Sequence, residues 1–250
     1  MARSVTRWVY RNCDRILGQS RSFAPHIAGV AGIPAENVGY MPQWEPDIAE
    51  KDVVIPPLSA GFRVMFTGNV GNAQDFGTVI AAASILRERQ DIHWIIIGEG
   101  VALADARRQV RSLGLETNFH FLGRFPIEAM PAFYQKADVL LATLRPADIF
   151  ARTIPTKILS YLASEVPLIT AIDGEVTRLV NESGAGTAVP SGQASLLAEA
   201  VKKMADIPKA KRREMGSRGR RYFLENFDRS RLLSRLSSLL QEEVDKHVRR

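Results

Sequence analysis

Four short stretches carry residues whose types and spacing could hold an anionic ligand. In TIPTKILSYLASEVPLIT, residues 153–170, Pro155, Thr156 and Lys157 stand where an apolar helix should begin. The first N–H groups of a helix lack intrahelical partners and the helix dipole is positive there. A lysine at that place therefore either turns out to solvent or shares an anion with those N–H groups. Pro155 suits a first helical turn, Thr156 offers a hydroxyl, and Arg152 and Thr153 lead into them, so the loop reads as a phosphate site. In FTGNVGNAQDF, residues 66–76, Gly68 and Gly71 would let the backbone approach a ligand, while Asn69, Asn72 and Gln74 offer uncharged hydrogen bonds. As a dinucleotide fingerprint this loop fails, because the third glycine and an acidic residue closing the next strand are both absent. IIIGEG, residues 95–100, places Gly98 and Gly100 at a strand-to-helix turn. In FLGRF, residues 121–125, Arg124 follows a glycine at a strand end, where it could stack on a base or pair with a phosphate.

No Ser-His-Asp set and no informatively spaced carboxylate pair accompanies these loops, so no catalytic residue is assigned. His26, His93, His120 and His247 are scattered, His93 and His120 within strand patterns that suit packing, and no spacing suggests a metal. Chemistry that relies on positioned donors rather than on a local nucleophile fits the residues present.

The elements that must position these loops alternate from about residue 62. Strands are expected at 63–67, 92–97, 118–122, 139–143, 167–171 and 186–189, with helices near 75–89, 102–113, 127–137, 157–164, 175–182 and 195–205. Six such units make an α/β fold with a doubly wound parallel sheet, whose ligands belong at the C-terminal ends of its strands. Residues 1–60 differ. A basic amphipathic stretch (4–13) leads to short apolar runs at 15–17 and 38–41 around a helix at 23–31. WEPDIAEKDVVIPPLSA then reads as a linker. This remnant cannot bury its own faces, so it is expected to be the last unit and linker of a preceding domain, with residues 61–250 forming the ligand-binding domain. Residues 209–250 read as helical with a break at Asn226-Phe227-Asp228. In the last helix an apolar stripe of Leu232, Leu233, Leu236, Leu239, Leu240 and Val244 is expected to dock on a neighbouring domain.

Bulk properties narrow the setting. The 250 residues are 46% hydrophobic and 24% charged, as in an ordinary globular protein. The single Cys13 excludes an internal disulfide framework and suits a reducing compartment. No apolar run is long enough to span a bilayer and Met1 to Trp8 lacks a secretory apolar core, so a cytoplasmic protein is expected. A net charge of +6 favours anionic partners. Its concentration in KAKRRE, SRGRRY and HVRR reads first as a solvated helical face and leaves an acidic membrane surface open as a partner, while the absence of interleaved aromatics argues against nucleic acid.

The order TGN, IIIGEG, FHFLGRFP, AMPAFYQKADVLLATLRP, PTKILSYLASEVPLITAIDGE and ESGAGTAVPSG resembles the C-terminal, donor-binding half of the retaining GT-B glycosyltransferases of family 4. Within it the sequence is most similar to bacterial surface-polysaccharide enzymes that transfer N-acetylfucosamine-type or related sugars. The resemblance covers residue 62 to about 240. It implies transfer of a hexosyl or N-acetylhexosaminyl group from a nucleotide-diphosphate sugar, without a metal or other cofactor. Gly68, Asn69, Gly71 and Gln74 would lie near the pyrophosphate, Gly123 and Arg124 near the base, and Thr153, Pro155, Thr156 and Lys157 around phosphate and sugar. Ser160 falls at a place where the family commonly has a glutamate on the ribose, and Arg152 at a second glutamate place. Asn69 and Gln74 replace an arginine and a lysine. These departures imply a donor-binding half that is not catalytically competent alone, with self-association through an exposed inter-domain face. The alternative is a degenerate domain that binds and regulates a true transferase.

Overall fold

The computed structural model describes residues 2–45 and 53–248. Its first part holds α1 (Ala2–Arg11), β1 (Ile16–Gly18), α2 (Phe23–Ala31) and β2 (Val38–Tyr40). The second comprises β3 (Phe62–Thr67), α3 (Phe76–Ile85), β4 (Ile92–Ile97), α4 (Leu103–Ser112), β5 (Phe119–Gly123), α5 (Met130–Tyr134), β6 (Val139–Thr143) and α6 (Asp148–Arg152). It continues through α7 (Thr156–Ala163), β7 (Leu168–Ala171), α8 (Glu175–Ser183), β8 (Gly186–Val189), α9 (Ala194–Asp206), α10 (Lys209–Asn226) and α11 (Arg229–Val248).

Six strands pair in the order β5-β4-β3-β6-β7-β8, all parallel. Both faces of such a sheet are covered by crossover helices, which explains why β4 reads Ile-His-Trp-Ile-Ile-Ile and is buried throughout. Alternation divides the strands between two cores. Val64, Phe66, Trp94 and Ile96 join the face under α3, α4 and α9, and Met65, Ile95, Ile97 and Leu140 the face under α5, α7, α8 and α10. From β3 the chain winds outward to β4 and β5 and then returns to β6 on the other side of β3. That reversal opens a crevice at the C-terminal ends of β3 and β6.

The expected doubly wound sheet is therefore present, with local corrections. The helix expected at 127–137 is a 3₁₀ turn followed by only five α-helical residues. Helix α3 ends at Ile85 rather than Arg89. The unforeseen α6 is one turn of Asp148–Arg152, too short to show a period.

The first unit is a two-stranded parallel sheet, β1 with β2, over a small core of Ile27, Ala28 and Val38. The expected linker is not free where it is described: Val53, Ile55 and Leu58 pack on the core beneath α5 and α7, and residues 46–52 of it lie outside the described residues. The stripe on α11 is only partly covered. Leu232 is buried, whereas Leu233, Leu240 and Val244 are exposed, as are Val5, Trp8 and Val9 of α1. Arg15 ties the two ends together through Glu242 and Glu243 at 2.9 and 2.7 Å. His93 and His120 fill structural places, as their strand patterns suggested. Their ring nitrogens lie 3.3 Å apart, and burial, helped by the neighbouring His93, holds His120 below its ordinary pKa.

Candidate nucleotide-binding site

Both loops singled out for phosphate chemistry border the crevice at the sheet's switch point. The loop after β3 is laced to the loop after β4. Gly68 N donates to Ile97 O at 2.8 Å, Val70 N to Glu99 O at 2.8 Å, and Ala102 N to Val70 O at 3.0 Å. A further bond, Gly98 N to Gly123 O at 2.7 Å, extends the lacing to the end of β5. Gly98 (φ 141°) is required here, because a Cβ on it would overlap the carbonyl oxygen of Gly68.

Asn69 and Gln74, expected to serve the ligand, are partly engaged in shaping the loop. The Asn69 amide fills the space beside Gly71 and Gly100, which have no side chains to exclude it. Gln74 Oε1 accepts from Gly71 N at 3.1 Å, and Thr143 Oγ1 donates to the Gln74 carbonyl at 2.5 Å. Asp75 closes the loop in the left-handed region (φ 50°), with Thr78 Oγ1 donating to its carboxylate at 2.7 Å.

Lys157, on the first turn of α7, does not turn out to solvent. Its stem is partly exposed while its Nζ is buried, 3.8 Å from the centre of the Phe66 ring, with no hydrogen-bond partner among the described residues. A Cβ on Gly68 would lie 3.2 Å from that Nζ, so the absent side chain of Gly68 is what lets the amine reach the end of β3. Burial lowers its pKa to about 7. The Phe66 ring attracts a cation but gives none of the hydrogen bonds an ammonium needs.

A pair of tyrosines fixes the strand end behind this amine. Tyr161 OH accepts from Thr67 N at 2.9 Å and lies 3.1 Å from Thr67 Oγ1; Tyr134 OH lies 3.4 Å from the same Oγ1. Burial raises both phenols above their ordinary pKa, so both stay neutral. Tyr161→Phe would leave the Thr67 N–H buried and unpaired. The expected loss is about 1–3 kcal/mol of stability in urea titration, with the slope unchanged.

The remaining residues of the α7 loop contact the first unit of the chain. Gln43 Nε2 donates to Ile154 O at 2.7 Å, Thr156 Oγ1 donates to Gln43 Oε1 at 3.4 Å, and Ser160 Oγ donates to Glu45 Oε1 at 2.6 Å. Ser20 Oγ donates to Arg152 O at 2.5 Å. Thr153 Oγ1 turns back to Ile149 O at 2.8 Å, so its hydroxyl does not face the crevice as a free donor. Pro155, with φ −62°, precedes α7 as expected. Arg124 is exposed at the end of β5, two strands from β3, apart from the Gly68–Lys157 pair.

Sequence reading missed Glu175, 3% exposed at the start of α8. Its carboxylate accepts from Ser22 N at 2.8 Å and from Ser22 Oγ, and pairs with Arg178 at 2.7 Å. Burial pushes its pKa up, but the Ser22 and Arg178 bonds outweigh that and hold it below the ordinary value. An acid just after Asp173-Gly174 at a strand end was the available signal. Glu45, read as linker, and Gln43, just before that stretch, gave none. Among the described residues no group of three or more His, Cys, Asp or Glu could hold a metal ion.

A doubly wound parallel sheet with a glycine-bearing loop after β3 on one side of its switch point and the α7 loop on the other is an architecture shared with the GT-B glycosyltransferases. HepE of Anabaena, solved in complex with UDP, superposes with a TM-score of 0.80 at 16% identity, over 97% of this chain and 68% of that one. Residues 61–206 match the family described as Glycosyl transferases group 1, and the chain belongs to that family.

Two relatives illustrate its company. The putative colanic acid biosynthesis glycosyl transferase WcaI of Escherichia coli K12 is 27% identical over 174 residues, 65% of this chain and 42% of WcaI. The amylovoran biosynthesis glycosyltransferase AmsK of Erwinia amylovora is 24% identical over 200 residues, 75% of this chain and 48% of AmsK. The chain thus spans about half the length of these relatives. No helix among the described residues is long and apolar enough to cross a membrane.

Proposed function

We propose that this chain binds the nucleotide-diphosphate-sugar donor of a hexosyl or N-acetylhexosaminyl transferase of surface-polysaccharide synthesis. Residues 61–250 are the donor-binding domain, and residues 1–60 are the end of the acceptor-side domain with its linker. The observation that carries this reading is the Lys157 amine, buried against Phe66 and Gly68 with no partner among the described residues. An unpartnered buried amine at a crevice is costly unless an anion arrives. A diphosphate leaving group supplies that anion, and the lysine with nearby backbone N–H groups neutralises it without a metal. Colanic acid and amylovoran in the relatives' names support the polysaccharide setting, and UDP in HepE supports a nucleotide diphosphate. The setting is cytoplasmic, with the basic face of α10 available to an acidic membrane surface.

The second reading, a regulator that binds a true transferase, is favoured by Arg152 and Ser160 at two places where the resemblance expects acids, and by the engagement of Asn69 and Gln74 within their own loop. Isothermal titration of the purified chain with UDP, GDP, UDP-N-acetylglucosamine and NAD separates the two. The donor reading expects saturable binding of one nucleotide diphosphate and none of NAD. No binding at millimolar concentration would hand the site to the regulatory reading.

A further inference from the structure

The donor crevice lies at the C-terminal ends of the strands, and a second cleft, of about 770 Å³, runs to the opposite end of the sheet. There it is bordered by the starts of β3, β6 and β7 and by α10, and neither Lys157 nor Gly68 lines it. Arg63 at the start of β3 and Gly68 after its end are five residues apart. That is about 16 Å along an extended strand, so the two places are separate. Six basic side chains line the cleft: Arg63, Lys136, Lys209, Arg212, Arg213 and Arg220. They come from β3, from the turn before β6 and from two different turns of α10. Part of KAKRRE therefore forms one wall of a cleft that gathers cations from distant parts of the chain, rather than a face turned wholly to solvent.

The charges in it are not balanced. Asp138 serves two guanidinium groups at once. Its Oδ1 accepts from Arg212 Nη2 at 3.1 Å, and its Oδ2 lies 3.5 Å from Arg63 Nε, which is buried and makes no hydrogen bond among the described residues. The Arg63 and Arg212 side chains are only 27% and 12% exposed, so folding has stripped both of much of their water against a single carboxylate. Arg220 donates to the neutral Ala163 O at 3.0 Å. Lys136, Lys209 and Arg213 stand exposed at the rim. Against the six cations the lining supplies three carboxylates, Asp138, Glu165 and Glu45, the last of them bonded to Ser160 Oγ.

We propose that this cleft is a second anion site, which takes a small molecule carrying a diphosphate or two phosphate groups. Six cations against three carboxylates call for a multiply charged anion, and planar guanidinium groups match phosphate oxygens two at a time. The volume suits a phosphorylated small molecule rather than a lone inorganic ion. A bilayer headgroup fits less well, because Arg63 and Arg212 lie below the rim, where a flat surface does not reach. Lys211 and Arg221, exposed on α10 outside the cleft, remain available to a membrane. The second site does not depend on the donor reading above.

The test is calorimetry with inorganic pyrophosphate on the full chain, both wild type and Lys157→Met, the latter lacking the amine of the donor crevice. Saturable binding should persist in Lys157→Met; its loss there would place pyrophosphate in the donor crevice and overturn the second site. Adding Lys209→Gln and Arg213→Gln to Lys157→Met should weaken binding by about tenfold or more, as for lost charge-assisted contacts. Adding Lys211→Gln and Arg221→Gln instead removes the same charge outside the cleft, where salt screens it, and should weaken binding by no more than about twofold. All four positions are exposed, so these variants are expected to fold. Equal losses from the two pairs, or no binding at millimolar pyrophosphate, overturn the proposal. Vesicles of equal parts phosphatidylcholine and phosphatidic acid supply the membrane arm. Vesicle binding that falls with the Lys209 and Arg213 pair alone, while pyrophosphate fails to bind, would give the cleft to a lipid headgroup and overturn the small-molecule site.

Discussion

Replacing Lys157 with Met should weaken nucleotide-diphosphate binding by about 1.5–3 kcal/mol, or ten- to 150-fold, while raising the melting temperature of the unliganded chain by a few degrees. The opposed signs follow from one observation. The amine is buried without a hydrogen-bond partner among the described residues, so folding strips it of water for little return, and a thioether of similar length removes that penalty. A structural lysine would give the reverse pair of results, a lower melting temperature with binding unchanged.

The same amine fixes the pH dependence. Its pKa is about 7 in the folded chain against an ordinary value of 10.5. Between those values the unfolded chain carries a proton that the folded chain lacks, so stability should rise with pH across that window. Lys157→Met should flatten that rise. Binding runs in the opposite direction: a diphosphate favours the ammonium, so the amine takes up a proton as nucleotide arrives, and affinity should fall as pH climbs from 7 towards 10. At pH 8, titrations in buffers of different ionisation enthalpy should report about one proton taken up per nucleotide. The Met variant should report none.

The second large effect is expected at Gly98. An alanine there must hold φ near 141° and place its Cβ into the Gly68 carbonyl oxygen, which is backbone and is itself fixed by the Gly68 N to Ile97 O bond. Neither strain nor overlap can relax without separating the loops after β3 and β4. Gly98→Ala should therefore cost about 3 kcal/mol or more, a fall of roughly 6–12 °C in melting temperature, and abolish nucleotide binding together with stability. Gly114→Ala is the control for glycine loss alone. Gly114 also has a positive φ, 65°, but an added Cβ meets nothing there, so only the backbone penalty of about 1 kcal/mol remains.

How much of this was legible follows from the length scale of each signal. The β4 run and the bounds of β6 could be read because a buried parallel strand is a continuous apolar run with a local signature. Helix α6 could not, since five residues hold too little of a period. The loops of the site were found through glycine, proline and lysine at strand ends, but the fate of Lys157 was left open between two readings. What decides it, Phe66 and the missing side chain of Gly68, lies some ninety residues upstream. Glu45 was hidden for a different reason: a proline-rich stretch reads as linker whether or not it docks. The α11 stripe shows the limit of helical spacing, which reveals that a face is apolar without showing how much of it the rest of the chain covers.

The lacing of the Gly68 loop to β4 and β5 bears on the tempo of binding. A loop held by ladder-like bonds meets its ligand with its backbone already shaped, so little ordering has to accompany capture. Arrival of the nucleotide should then proceed at much the same rate for any diphosphate that fits. Discrimination among sugars and bases would be expressed in how long each one stays.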